Sequence, residues 1–312
     1  MQTTTDPTHN TRNADHADHA ESTGAAADPE QERAWNGYEG AHWARHQDRW
    51  DAVNEGFNEP LLTAAAIGAR DRVLDVGCGA GRTTRLAAAR AAHGWATGLD
   101  LSAPMLTRAS ESAREEGVAN ATFERGDAQT KQFEPGTFDV MISRYGVMYF
   151  ADPVAAFTNI GAALRPGGRM AFVCAADPQD NEWLHAMAAL RPYLPVGGFG
   201  EPGGPGMFSL ADPDHVREVL TAAGFGQIAT VRTQAYGVWG RDADDAAAFL
   251  LDSGPGRHLI SQAGPDDRQR ARRALTDALR GHERDGAVRL RSTCWLVTAE
   301  TSANRSAEDR QG

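Results

Sequence analysis

Val73-Leu74-Asp75-Val76-Gly77-Cys78-Gly79-Ala80-Gly81-Arg82-Thr83-Thr84 is the stretch whose reading decides the fold. An apolar, β-branched run reaches Asp75 and breaks into Gly77, Gly79 and Gly81, and an Ala-rich helical pattern follows at once. The order reads as strand, tight turn, helix N-terminus. Such a turn suits a ligand, because glycine lets the backbone pass close to a bound molecule and the first helical N–H groups point outward unpaired.

Spacing narrows the ligand. The dinucleotide fingerprint Gly-x-Gly-x-x-Gly requires a glycine where this chain has Arg82. Here Gly-x-Gly-x-Gly follows a carboxylate, Asp75, whose charge disfavours a phosphate and favours a ligand bearing an ammonium and a sulfonium. The stretch resembles motif I of class I S-adenosylmethionine (SAM) dependent methyltransferases. A Gly-rich turn of another Rossmann-like protein is the alternative that these residues alone leave open.

Further acids fall in phase with the first. The strand from Trp95 to Leu101 carries Asp100 at its end, where a carboxylate accepts from both ribose hydroxyls of a nucleoside. Ser102 then caps a helix from about Ala103 to Glu116, with Pro104 in its first turn. Gly126-Asp127-Ala128 closes a third strand, and a carboxylate there can accept from an adenine amine. A fourth strand, Phe138 to Ser143, opens into Arg144-Tyr145-Gly146-Val147-Met148-Tyr149, and a fifth, Arg169 to Ala175, follows Leu164-Arg165-Pro166-Gly167-Gly168. Gly-Asp-Ala and the Pro-Gly-Gly turn also resemble the family's. The resemblance implies SAM as cofactor and S-adenosylhomocysteine as product. The cofactor contacts it implies are Asp75, Gly77, Gly79, Gly81, Asp100, Leu101, Met105, Asp127, Ala128, Ser143 and Trp43.

The repeated β-α order argues an α/β fold: a doubly wound, mostly parallel, seven-stranded Rossmann-like sheet with helical cap and lid insertions. We divide the chain into a disordered tail (1–30), a helical cap (31–70), a cofactor-binding core (71–176), a lid (177–210), the rest of the core (211–300) with a helical insertion at 242–282, and a frayed tail (301–312). The lid is read from its Pro and Gly density between Pro192 and Pro205.

A net charge of −11 disfavours a nucleic-acid surface. No apolar run reaches membrane-span length and no signal-peptide core is visible, so we expect no membrane contact and a cytoplasmic location. The three cysteines, Cys78, Cys174 and Cys294, lie apart and suit reduced thiols. A homo-oligomer is compatible with all of this.

Tyr38 to Trp50 reads as one helix with Tyr38, His42, Arg45, His46 and Arg49 along one side. Trp35-Asn36-Gly37 followed by Trp43 and His46 resembles the cofactor-covering cap of bacterial small-molecule methyltransferases related to the ubiquinone C-methyltransferases. His46 is the candidate base, because imidazole takes a proton near neutral pH, with His42 competing for the role; a solvent-exposed helix histidine is the plainer reading. Tyr38 and Tyr145, with Tyr149, are candidates for orienting a substrate. His42 and His46 also pair at metal-ligand spacing, but no third ligand is evident and we expect no metal; His9, His16 and His19 are read as part of a solvated tail. Trp43, Trp183, Tyr193, Phe199, Phe208 and Trp239 fall in cap or rim regions and suggest a flat aromatic acceptor. The resemblance includes specialised-metabolite enzymes, some acting on tryptophan-derived alkaloids. It implies ring C-methylation of an indole-like compound, with O- or N-methylation as the alternative. A SAM-binding regulatory protein without turnover is the reading from another class.

Overall fold

The computed structural model describes residues 29–196 and 206–303. The expected tail 1–30 lies outside the described residues apart from its last two. So do the histidines at 9, 16 and 19, the centre of the expected lid with Phe199, and most of the C-terminal tail.

Four helices come first: α1 (Pro29–Asn36), α2 (Tyr38–Arg45), α3 (Gln47–Asn54) and α4 (Asn58–Ala64). The core then alternates β1 (Arg72–Val76), α5 (Arg82–Arg90), β2 (Trp95–Asp100), α6 (Ala103–Glu115), β3 (Ala121–Arg125), β4 (Phe138–Arg144), α7 (Pro153–Ala163) and β5 (Leu164–Ala175). After α8 (Glu182–Ala188) and α9 (Pro213–Ala222) comes β6 (Phe225–Gly240). Helices α10 (Ala243–Asp252), α11 (Gly254–Ser261) and α12 (Pro265–Arg280) precede β7 (Glu283–Arg284) and β8 (Ala287–Thr301).

The sheet order is β3-β2-β1-β4-β5-β8-β6. Strands β1 to β5 pair parallel, while β8 pairs antiparallel with both β5 and β6. These are the seven strands expected. The addition is β7, a two-residue strand that pairs with β8 through Glu283↔Val288 and Arg284↔Ala287. Asp285 and Gly286 turn it with φ of 51° and 72°, the left-handed pair that an Asp-Gly hairpin favours.

Alternation along the parallel strands shows why the sheet is wound on both faces. Leu74, Met141, Met170 and Phe172 bury towards α7 and α9. Their neighbours Val73, Val140, Ile142 and Ala171 bury with Leu61, Ala87 and Ala88 on the other side. With one face unprotected, alternate positions would be polar. A third cluster joins α10 and α12 to Trp239, Val288 and Leu290 near the ends of β6 and β8.

One expected element splits. The helix read across Tyr38 to Trp50 breaks at His46, whose φ and ψ of −106° and 26° end α2 and start α3. In an unbroken helix Trp43 and Trp50 would sit about 10 Å apart along the axis. Instead their rings stack at 3.9 Å with planes 5° apart.

Candidate active site

Chain order turns back between β1 and β4, where an open α/β sheet leaves a crevice at its carboxyl ends. A cavity opens there. Its walls include Gly77 and Gly79 from the turn after β1, Asp100 and Leu101 at the end of β2, Met105 in α6, and Asp127 and Ala128 after β3. Tyr145 follows β4, and Trp43 closes the cavity from α2.

Local backbone fixes each group. Gly77 has φ +67°, and a Cβ on it would stand 2.5 Å from the Gly146 Cα, so the turns after β1 and β4 touch backbone to backbone. Gly79 donates its N–H to Asp100 Oδ2 at 2.8 Å, and Ser102 donates to Oδ1 at 2.9 Å. Each carboxylate oxygen thus keeps further acceptor capacity for the cavity. Burial raises the Asp100 pKa, and these backbone donors act in the opposite direction. Ser102 also caps α6, its hydroxyl accepting from Met105 N–H. Asp127 accepts from the backbone N–H of Gln129 at 2.9 Å.

Five of the residues expected in the site lie elsewhere. Asp75 is fully buried behind the turn, its Oδ2 accepting from the Thr83 and Thr84 hydroxyls at 2.7 and 2.6 Å. Its Oδ1 has no hydrogen-bond partner among the described residues, and burial pushes the carboxyl up to about 6. Gly81 is a packing glycine: a Cβ there would come within 2.6 to 2.8 Å of the Phe123 ring and 2.8 Å of the Ala109 Cβ. Ser143 is buried and its hydroxyl accepts from Gly146 N–H, shaping the turn rather than facing the cavity. Tyr38 and His46 are in neither cavity wall. Tyr38 donates to Asp252, and His46 lies 4.0 Å from the same carboxylate, because the break after α2 turns that side towards α10.

A second cavity of about 610 Å³ adjoins the first. Gln31, Trp35, Trp43, Trp50, Asn54, Tyr145 and Tyr149 face both. Ring contacts run from Tyr149 through Trp35, Trp43 and Trp50 to Trp239 and Trp183, an aromatic band along the shared wall and the second cavity. Trp183, Phe208 and Trp239 line the second cavity, and Tyr193 packs beside it without lining it. Tyr145 holds a left-handed φ of 67° and stands edge-on to Phe57, and burial raises its phenol pKa well above the ordinary value.

Sequence reading passed over Glu39. It is the one carboxylate among the described residues lining the second cavity. Its Oε1 accepts from Trp43 Nε1 at 3.1 Å, and burial raises its pKa. Gly254 approaches so closely that any Cβ there would collide with Glu39 Oε2. Only the helical position of an acid was available in sequence, and an acid on a helix is ordinarily solvated. Arg144 contacts Asn58 at 2.6 Å and Asp51 at 3.3 Å.

Comparison with known proteins places these observations. Residues 73–168 match the family model described as a methyltransferase domain. The chain is 29% identical over 161 residues to "Uncharacterized methyltransferase YcgJ" of Bacillus subtilis, covering 51% of this chain and 55% of that protein. It is 35% identical over 103 residues to "Aklanonic acid methyltransferase DauC" of a Streptomyces species, covering 33% and 47%. The chain thus spans about half the length of these curated relatives. The crystal structure of YcgJ superposes with a TM-score of 0.53 at 20% identity, covering 78% of this chain and 97% of that one. That likeness establishes the Rossmann-like methyltransferase fold. Among the described residues, no helix is long and apolar enough to cross a membrane.

Proposed function

We propose that the chain is a SAM-dependent methyltransferase whose first cavity holds the cofactor and whose second holds a small, largely apolar, planar acceptor. The observation that carries this reading is the pair of adjoining cavities with a common aromatic wall at the carboxyl ends of the strands. Methyltransferase relatives support it. The donor set also suits the cofactor. Asp100 presents acceptor oxygens to ribose hydroxyls and Asp127 one to an adenine amine, while Asp75, outside the cavity wall, holds the turn through the Thr83 and Thr84 hydroxyls.

When bound, SAM supplies an electrophilic methyl group on a sulfonium. The chain's share of the work is alignment, which can supply about 7 to 11 kcal/mol, against about 3 to 5 kcal/mol for a positioned base. Trp43 and Trp50 fix the wall, Tyr145 and Tyr149 offer hydroxyls at the junction, and the aromatic band excludes water from the acceptor. Glu39 replaces His46 as the group that accepts a hydrogen bond or proton from the acceptor. Methylation of an indole ring carbon is a narrower form of this proposal, with a hydroxyl or amine as the competing position.

Calorimetry with S-adenosylhomocysteine, then methyl transfer from labelled SAM to a panel of phenols, indoles and arylamines, tests it. We expect binding, and label in at least one acceptor. NADH binding without S-adenosylhomocysteine binding would overturn the cofactor assignment. Cofactor binding with no transfer across a broad panel would favour a non-catalytic binder. With a labelled acceptor in hand, Glu39→Gln should lower turnover at least about tenfold with S-adenosylhomocysteine affinity unchanged. Equal turnover would return Glu39 to a purely structural role.

A further inference from the structure

The side of α2 that turns away from both cavities meets the end of α10. There His42 Nδ1 stands 3.4 Å from Asp252 Oδ2, and His46 Nε2 stands 4.0 Å from the same oxygen. One donor atom from each of the three residues lies within 4.8 Å of the others. We propose that His42, His46 and Asp252 bind a divalent transition-metal cation of the zinc, cobalt or nickel class, clamping the N-terminal helices to the end of α10.

Geometry carries the assignment. Around a tetrahedral ion with bonds of about 2.0 to 2.2 Å, neighbouring donors stand roughly 3.4 Å apart. The His42–Asp252 edge already has that length. The His46–Asp252 edge must close by about half an ångström, and both residues can turn: their side chains are 29% and 44% exposed, whereas His42 is fully buried. Two imidazoles and one carboxylate favour a borderline cation over calcium or magnesium, which prefer an all-oxygen shell.

The Tyr38 hydroxyl stands 3.4 Å from His42 Nδ1 as well as bonding Asp252, so an ion bound here takes the Nδ1 lone pair and leaves Tyr38 its carboxylate bond. Tyr38 donates to Asp252 Oδ1 at 3.0 Å, and Arg257 contacts the same oxygen at 3.4 Å, so Oδ2 is left to the histidines. The site lies next to the second cavity without belonging to it. Glu39 precedes His42 by one helical turn, and Ser253, Gly254 and Pro255, which follow Asp252, line that cavity. An ion held here would fix the spacing between those two parts of the cavity wall.

The test uses the full chain, stripped with a chelator and titrated with zinc chloride by calorimetry and with cobalt chloride by visible absorption. Because His9, His16 and His19 offer competing ligands, a parent with all three changed to Ala is measured beside the wild type. We expect that parent to bind one ion, to show the absorption of low-coordinate cobalt, and to melt at a higher temperature with zinc. His46→Ala and Asp252→Asn, at partly exposed positions, should each weaken binding at least about tenfold and abolish the melting shift. Loss of binding with the three tail substitutions would overturn the proposal. So would unchanged affinity in both ligand variants. All readouts are independent of methyl transfer, so the assignment can fail while the proposed reaction stands, and the reverse.

Discussion

Replacing Asp100 by Ala removes the carboxylate on which the proposed ribose contacts rest. Hydroxyl donors to a charged acceptor contribute about 1.5 to 3 kcal/mol each, so losing two costs about 3 to 6 kcal/mol of binding. Even the lower figure corresponds to more than about a hundredfold in Kd. The same change deprives the Gly79 and Ser102 N–H groups of their acceptor, which loosens the turn after β1 and the start of α6. Calorimetric titration with S-adenosylhomocysteine should therefore be paired with a thermal melt, so that affinity is measured on folded protein. We expect at least a hundredfold weakening. Folded Asp100→Ala protein that binds S-adenosylhomocysteine within about threefold of the wild type would refute the placement of the ribose.

Two further substitutions probe the frame of the site. Gly77→Ala should lower stability by about 2 kcal/mol or more, combining left-handed strain with a Cβ 2.5 Å from the Gly146 Cα, and calorimetric melting would show it. Gly146→Ala lacks the left-handed φ, but its Cβ would stand 2.6 Å from both the Gly77 Cα and the Val76 carbonyl oxygen, so it should cost a comparable amount; a near-neutral Gly146→Ala would show that the two turns do not touch as described. Asp139, despite its own partial burial, is held down to about 2, chiefly by hydrogen bonds from Arg72 and then Arg165. Its depressed pKa means that its contribution is present above the unfolded carboxylate value of about 4 and is lost as pH falls through about 2. Asp139→Asn should thus cost on the order of 1 to 2 kcal/mol at pH 7, allowing for solvent screening, and progressively less below pH 4. A gap independent of pH in denaturant melts would exclude the arginine pairing as its source.

The parts of this protein that sequence made legible are those whose chemistry is local. Asp100 and Asp127 mark the ends of their own strands, Ser102 caps the helix it precedes, and alternation along β1, β4 and β5 declares two buried faces. What sequence hid depends on distant partners. Gly81 and Ser143 sit in the right turns, but packing against Phe123 and Ala109 and a bond to Gly146 direct them away from the cavity. Helical spacing put Tyr38 and His46 on one side and left unsaid which side faces α10. Glu39 gains its place from Gly254, and His42 and His46 gain a third potential ligand from Asp252, each more than 200 residues further along the chain. The Asp-Gly turn before β8 was readable, and marks a hairpin that a search for long strands passes over.

The wall common to the two cavities has a thermodynamic consequence. Any side chain among its seven residues that is ordered by one ligand is already ordered for the other, so the two binding equilibria are linked. Linkage is reciprocal: the factor by which the first ligand tightens the second equals the factor in the opposite direction. The stacked Trp43 and Trp50, anchored by the helix break at His46, would thereby make cooperativity between the proposed donor and acceptor a property of the scaffold.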